Sequence, residues 1–462
     1  MLLFIITCLL LCKLLKTLEI RNYFLIALIF AVHPMNVAAV SWVFQAKTNL
    51  ANIFGLISCI LFVKYCTNQK IKYYILTFVF ITLAYLSKIS WVMVPLVFAV
   101  YMHIKNFKFK KIIQLSAPFL VASLVFGLIN VMWDQNALPV PDSELILNKS
   151  VLVRFLLVGQ NFLFYLYQTF FPINLMFTHP KIEPDIFSVY SYLPTLALLV
   201  VLLVAAYYLY NNNNKLRFYL IGIILSFLFL FPVLGLSEIY FMRFSYVAEH
   251  YLTLGLVGFV APLVTMHGKY RYVKVIAYVF AAALAIQTWS YVADYQDEKI
   301  LFERNIEKNP NSILPHNILG LLYKNEKNLE MAMHHFDKSI EIHPNAASYY
   351  NKASLYEILN QLELARLNYE KAIQLNPYVA NSYNNLAIVY LKLKNLPVAL
   401  DYFLKGIKAD PYDVRLYYNM AYAYEEDNQM TQALEWYKKA LILQPENPLF
   451  KSSVERVLRG QH

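Results

Sequence analysis

Eight side chains at the ends of long apolar runs are of types that could do chemistry: His33, Lys47, Lys88, His179, Lys181, Arg243, Glu249 and His250. The chemistry open to them is proton transfer and charge pairing at an apolar boundary. Glu249 and His250 stand together at the head of an apolar run, where an unpaired charge is costly to bury. A site role is the default reading for such a pair, and Glu249 is the candidate catalytic carboxylate. Lys88 falls in a short turn between two apolar runs. Lys181 and Arg243 have a second reading as headgroup anchors. His33, just before Pro34, has one as the cap of a helix end. The remaining motif space is sparse. No phosphate-cradling glycine loop, HExxH or GxSxG occurs, and eleven glycines leave little material for one. The four cysteines, Cys8, Cys12, Cys59 and Cys66, lie in or beside apolar runs, so neither a disulfide framework nor a paired CxxC metal site is expected. Asn148-Lys149-Ser150 matches a glycosylation sequon, a triplet that also arises often by chance.

The elements that must hold these side chains are apolar. Of 462 residues, 59% are hydrophobic and 15% charged, against about 45–50% and about 25% in soluble domains. The composition excludes a disordered chain. The net charge of +11 is unevenly placed. Residues 1–293 carry 21 Lys/Arg against 8 Asp/Glu, whereas residues 294–462 carry 19 against 21. The excess is therefore a topology signal rather than a nucleic-acid footprint. Apolar runs near 1–17, 23–34, 46–65, 72–87, 90–105, 112–133, 194–210, 216–234, 247–266 and 273–293 read as about ten membrane spans. Basic clusters occupy alternate connections: Lys13/Lys16/Arg21, Lys64/Lys70/Lys72, Lys105/Lys108/Lys110/Lys111, Lys215/Arg217 and Lys269/Arg271/Lys274. The positive-inside rule puts these on the cytoplasmic side. The start of the chain, the segment 134–193 and everything after about 293 then lie outside. Residues 150–171 are apolar enough to span, but a span there would turn the later basic connections outward. Parity therefore favours a re-entrant or interfacial helix. The opening run lacks a basic leader and a cleavage site, so it reads as an N-outside span. Such a span normally follows another, and the chain is expected to start late.

After residue 293 the pattern changes. Pro310, Pro344, Pro377, Pro411 and Pro445 recur every 33 or 34 residues. In phase with them stand Ala332, Ala365, Ala399 and Ala433, Gly320, Ala353, Ala387 and Ala421, and the aromatics Phe336, Tyr369, Phe403 and Tyr437. This is the tetratricopeptide period: small residues let two antiparallel helices touch, and aromatics fill the groove beside them. Four repeats are expected over 313–447, with a connector and half repeat at 294–312 and a capping helix at 448–462. Such arrays offer a concave surface for peptide or protein. Asn351, Asn384, Asn385 and Asn419 recur on the first helices, while Tyr349, Tyr383 and Tyr417 read as packing residues between repeats.

Several stretches, in this order, resemble the transmembrane-and-tetratricopeptide family of lipid-linked sugar transferases. They are LIALIFAVHPMNVAAVSWVFQAKTNLANIFGLISCILFVKY at 25–65, LSKISWVMVPLVF at 86–98, FFPINLMFTHP at 170–180 and FSYVAEHYLTL at 244–254. The resemblance covers nearly the whole chain after the first span. It implies an all-α fold, a polytopic bundle of the integral-membrane glycosyltransferase type C followed by the repeat solenoid. It also implies transfer of a sugar, a hexose such as mannose, from a polyprenyl-phosphate carrier to a protein acceptor recruited by the repeats. On that reading an acceptor hydroxyl attacks the anomeric carbon and a carboxylate takes its proton. Cationic groups hold the leaving phosphate, a role that suits Lys47, Lys88, Lys181, Arg243, His33, His179 and His250. The fold type accommodates a divalent cation, for which this sequence offers no ligand cluster. The implied location is a bacterial inner membrane with the repeats on its outer face. One departure stands out. The family's catalytic Asp lies in a loop before the equivalent of residue 1. The other external carboxylates, Asp134, Asp142, Glu144, Glu183, Asp185 and Glu238, do not match it. A truncated start of an active enzyme is expected in preference to an inactive product. Two further classes compete: a catalytically incomplete, membrane-anchored protein-interaction scaffold, and a transporter, which the lack of internal duplication disfavours.

Overall fold

The computed structural model describes residues 1–42, 45–137, 149–210, 216–236, 240–267 and 270–460. Lys215, Lys269, Asp142, Glu144, Glu238 and Asn148 lie outside the described residues. Every regular element described is helical. Residues through Pro310 pack as one unit and those from Asn311 as another.

The first unit contains α1 (Leu2–Thr17), α2 (Tyr23–Val32), α3 (Val37–Ser41), α4 (Ala46–Asn68), α5 (Ile71–Ser87), α6 (Val94–Ile104), α7 (Phe109–Ala137), α8 (Val151–Phe170), α9 (Val189–Tyr210), α10 (Leu216–Leu230), α11 (Thr253–His267), α12 (Arg271–Val292) and α13 (Glu298–Lys308). Six described helices are long and apolar enough to cross a membrane, or seven if the bent pair Tyr23–Val32 and Pro34–Ser41 is one span. One of the six, Val151–Phe170, is outside the ten runs read from the sequence, so five of those ten, or six with the bent pair, are long enough. The helices α1 and α5 fall short at 16 and 17 residues, and the other shortfalls have local causes. Pro34 lacks an amide hydrogen, so the chain turns by 59° after His33. The run at 90–105 opens in a short 3-10 turn, Ile89–Trp91, leaving α6 with 11 residues. The run at 247–266 likewise opens in a turn, Glu249–Tyr251, leaving α11 with 15. The segment 150–171 is one unbroken 20-residue helix, α8, and not the broken pair of a re-entrant hairpin.

Bonds between segments sort the helix ends into two sets. At one end Asn22 Nδ2 donates to the Val264 carbonyl (3.1 Å), Lys111 Nζ to Gln69 Oε1 (3.2 Å), His103 Nε2 lies 3.0 Å from the Leu209 carbonyl, and Tyr219 meets His267. These contacts bring the basic connections at Arg21, Lys70, Lys105–Lys111, Arg217 and Arg271 to the same end of the bundle. At the opposite end Lys88 reaches Thr48, Thr288 Oγ1 donates to the Val32 carbonyl (2.7 Å), and Gln287 bonds the Pro172 carbonyl.

The second unit stacks helical hairpins: α14 (Ile313–Asn325) with α15 (Leu329–Ile342), α16 (Ala346–Ile358) with α17 (Leu362–Leu375), α18 (Ala380–Lys392) with α19 (Leu396–Ala409), and α20 (Val414–Glu426) with α21 (Met430–Leu443), closed by α22 (Pro448–Gly460). Asn328, Asn345 and Asn395 cap the helices they precede through their side-chain oxygens, each satisfying an orphan amide. The in-phase small residues are fully buried, as are Phe336, Tyr369, Phe403 and Tyr437. A methyl group on Gly320 would stand 2.4 Å from the Phe336 ring, so only glycine lets α14 and α15 approach this closely. The aromatic position alternates: Tyr369 donates to Glu357 and Tyr437 to Glu425 (both 2.6 Å), where Phe336 and Phe403 need no partner. Tyr383 and Tyr417 have ring contacts within their own hairpins, with Tyr402 and Trp436.

One buried pair makes the first repeat sensitive to acid. His316 and His335 meet through their Nδ1 atoms at 3.0 Å, with Tyr323 stacked on His335 and His334 edge-on to it. Such a bond needs at least one neutral imidazole. Burial, then the charges of His316 and His334, push His335 down to about 4 from 6.5. The unfolded chain therefore binds the extra proton between those values, and stability is lost as pH falls through that window. Thermal melting should drop on acidification below about pH 6.5, and the slope should flatten in His335→Leu.

Candidate functional site

The opposite end of the bundle carries a basic cluster. Lys88 leaves the end of α5 with its backbone extended, and its Nζ donates to Thr48 Oγ1 (2.8 Å) and Gln45 Oε1 (3.5 Å) at the start of α4. The same ammonium lies 5.4 Å from the centre of the Tyr251 ring. Burial, then the nearby Lys47 charge, push Lys88 down to about 7. His250 is buried close enough to Lys88 and Lys47 to feel both charges, and it packs edge-on to Phe241 and Tyr251. Lys88 and His250 thus meet over the Tyr251 ring, and the Lys88 and Lys47 charges disfavour the charging of His250. An anion seated there would relieve that repulsion.

Glu249 points elsewhere. One oxygen accepts from the Met176 amide (2.7 Å) and the other from Tyr291 Oη (2.8 Å), so the carboxylate ties the 171–183 loop to the end of α12. His179 Nε2 stands 3.6 Å from Glu249, beyond hydrogen-bonding reach. The loop is also stitched to α13. Asn305 Oδ1 accepts from the Thr178 amide (2.9 Å) and hydroxyl (2.7 Å), its Nδ2 donates to the Thr178 carbonyl (3.1 Å), and Lys308 donates to the Leu175 carbonyl (2.7 Å). Lys181 bonds the Arg243 carbonyl (3.0 Å) and covers Tyr246 (4.9 Å). His33 accepts from the Met35 amide at Nδ1 (3.3 Å), which caps the start of the following 3-10 turn, Pro34–Asn36, rather than the end of α2, while Nε2 meets the Thr169 carbonyl (3.1 Å).

The eight sequence candidates therefore form separate groups. Lys88 and His250 meet at Tyr251 with Lys47 nearby, Glu249 and His179 are neighbours without a hydrogen bond, Lys181 bonds the Arg243 carbonyl, and His33 stands apart. Sequence reading missed Gln45, Thr48, Tyr251, Tyr291 and Asn305. Gln45 and Thr48 flank Lys47 in QAKTN, a polar interruption that was visible but had no partner in sequence. Among the described residues no three His, Cys, Asp or Glu side chains assemble as a metal ion requires.

The repeat unit offers a second kind of site. First helices of neighbouring repeats approach one another, α14 with α16 and α18 with α20, more closely than second helices do, so they line the inner side of the curve. Asn317, Asn351, Asn385 and Asn419 lie on them at 34-residue intervals. Asn351 donates to Asn317 (2.8 Å), Asn385 to Tyr350 Oη (2.9 Å), and Asn419 to Asn384 Oδ1 (2.8 Å). A carboxamide has two donor hydrogens and two acceptor lone pairs. Asn385 also donates to Tyr369 Oη (3.3 Å) and accepts from Asn384 (3.1 Å), which leaves it one acceptor lone pair, while Asn351 and Asn419 each keep a donor hydrogen and acceptor capacity for a ligand. Beside Asn419 a hollow of about 570 Å³ opens between α18 and α20. Its floor is Ile388, Leu391, Leu396 and Ala423, with Lys392 and Lys394 on one rim and Glu426 and Asp427 on the other.

Family profiles described as tetratricopeptide repeat match residues 316–345, 346–378, 368–399 and 384–448. The C-terminal region is a tetratricopeptide array. Similar solved structures include MamA, 23% identical, covering 32% of this chain and 87% of its own, with a TM-score of 0.30. Pseudomonas aeruginosa PilF is 23% identical, covering 32% and 68%, at 0.31. YrrB, described as a TPR protein with an unusual peptide-binding site, is 16% identical, covering 42% and 95%, at 0.30. No curated protein matches the chain.

Proposed function

We propose that the chain is a membrane-embedded protein-interaction scaffold whose repeat groove holds an extended polypeptide. The observation that carries this is the asparagine ladder beside the hollow between α18 and α20. Side-chain amides pair with backbone amides without regard to sequence, and an apolar hollow between opposite charges selects the side chain that enters it. Membrane embedding is supported by the large apolar side chains left exposed along α7 (Val121, Leu124, Leu128), α9 (Leu196, Leu203) and α12 (Ile276, Val279, Ile286). A soluble protein rarely leaves a continuous apolar surface of that extent. The exposed aromatics Tyr190 and Trp289 near helix ends suit a headgroup boundary. In this reading the basic end faces the cytoplasm of a bacterial inner membrane.

A second reading, favoured by the Lys88 and His250 cluster with Lys47 nearby, is sugar transfer from a polyprenyl-phosphate carrier to a polypeptide acceptor. The acceptor hydroxyl would form the new glycosidic bond as the bond from the anomeric carbon to phosphate oxygen breaks. The leaving phosphate would be held by the basic cluster, and the hydroxyl proton taken by a carboxylate; Glu249, the sequence candidate, would have to leave its bonds to Met176 and Tyr291 to serve. The test is the purified full chain in vesicles with polyprenyl-phosphate mannose and an acceptor polypeptide. Sugar transfer that falls at least about a hundredfold in Lys88→Ala, as loss of a buried charge contact costing about 3 kcal/mol predicts, supports this reading. Carrier that stays intact with every acceptor while peptide binding persists leaves the scaffold alone.

A further inference from the structure

We infer that α8 lies in the plane of the membrane surface, with Leu152, Leu163, Tyr167 and Phe171 against lipid, although its length and composition would let it span. The inference rests on the membrane-embedded reading above. Twenty helical residues extend about 30 Å, and a span of that length packed along its neighbours would meet both ends of the bundle. The bonds and ring contacts of α8 reach one end only. Near its N-terminus Thr195 Oγ1, in the first turns of α9, donates to the Leu156 carbonyl (3.1 Å). A methyl group on Gly159 would collide with the Thr195 backbone at 2.3 Å. At mid-helix Asn161 donates to the Leu234 carbonyl (3.0 Å), just past the end of α10, and Tyr165 Oη accepts from the Ala248 amide (3.1 Å), just before α11. At its C-terminus the Thr169 carbonyl meets His33, at the end of α2. The deepest contacts, Phe162 with Phe227 and Phe259, lie one to two turns inside α10 and α11.

The side chains agree with this placement. The loop after α8 runs back along it, bringing Ile182 to Gln160 (3.4 Å) and Glu183 to Lys149, so both ends of α8 meet the same solvent-side segment. Arg154, in the first turn, would be costly at bilayer depth and is at home at the headgroup boundary. The inner flank is buried against the protein and mixes three polar side chains (Asn161, Gln168, Thr169) with Leu156, Leu157, Phe162 and Tyr165, whereas Leu152, Leu163, Tyr167 and Phe171 on the outer flank are exposed and apolar. Lipid is the committed occupant because the exposed flank continues into the exposed apolar residues at the start of α9, Val189, Leu193 and Leu196.

The experiment is nitroxide depth measurement by oxygen and nickel-chelate accessibility, on the full chain in phosphatidylcholine–phosphatidylglycerol vesicles with the four cysteines replaced by alanine. Labels go singly at Leu152, Leu163, Tyr167 and Phe171, with Val121, Leu124 and Leu128 of α7 as reference. The expected result is one shallow depth for all four α8 labels and deep, graded values along α7. A spread on the order of 15–28 Å across the α8 labels, following a rise of about 1.5 Å per residue, would overturn the in-plane placement. So would water exposure of all four with α7 buried. Water exposure of the α7 labels as well would instead remove the membrane reading beneath it.

Discussion

Replacing Asn385 and Asn419 together by alanine lowers the affinity of a groove-bound linear peptide by about thirtyfold, with the melting temperature of the array nearly unchanged. Each carboxamide lost removes hydrogen bonds worth about 1 kcal/mol net, so two give about 2 kcal/mol. Folding is spared because both side chains are only half-buried and bond other polar side chains that water can satisfy in their place. The measurement is fluorescence anisotropy of a labelled peptide selected on the unaltered protein, alongside a thermal melt of both proteins. Equal affinity would mean that backbone pairing to the ladder does not hold the peptide. A parallel fall in melting temperature would mean that the asparagines serve the fold.

The second large effect is on stability. Phe403→Ala is expected to cost about 3–5 kcal/mol, the range for deleting a fully buried aromatic, and to lower the melting temperature of the array by roughly 10 °C or more. Phe403 is fully buried in one cluster with Ala387, Ala399, Leu416 and Met420, so its loss opens a cavity shared by α18, α19 and α20. Tyr437→Phe is the contrasting change. It keeps the ring and leaves Glu425 its ion pair with Arg456 (2.7 Å), so about 1 kcal/mol or less is expected. Circular dichroism melts of the two variants should separate clearly. Similar melting temperatures would show that the ring positions do not carry the stack.

What the sequence made legible follows from what is local or repeated. The array was readable because each repeat writes the same small and aromatic residues at the same phase, and Ala332, Ala365, Ala399 and Ala433 are all buried as that phase requires. The gathering of basic connections at one end was readable because charge alternates along the chain. Helix lengths were less so. Apolar runs do not reveal that Pro34 bends the chain or that Ile89–Trp91 and Glu249–Tyr251 form tight turns. The candidate site was the least legible, because its contacts join residues far apart in sequence. Lys88 meets Thr48 across 40 residues, Met176 meets Glu249 across 73, and Thr178 meets Asn305 across 127. Glu249 stood out as a carboxylate beside an apolar run. Its hydrogen bonds to Met176 and Tyr291, which give it a bracing position between a loop and α12, depend on partners that no spacing rule supplies.

Binding of extended polypeptide in the groove of the repeat array is the function proposed for this chain. Its most direct test is selection of a displayed random linear-peptide library on the full chain in lipid nanodiscs, with the Asn385→Ala/Asn419→Ala protein as the counter-selection. The expected result is enrichment of peptides that share an apolar residue for the hollow between α18 and α20, that bind the unaltered protein, and that lose affinity when their own backbone amides are N-methylated. Failure to enrich any peptide over the altered protein, or full retention of affinity after N-methylation, would contradict it.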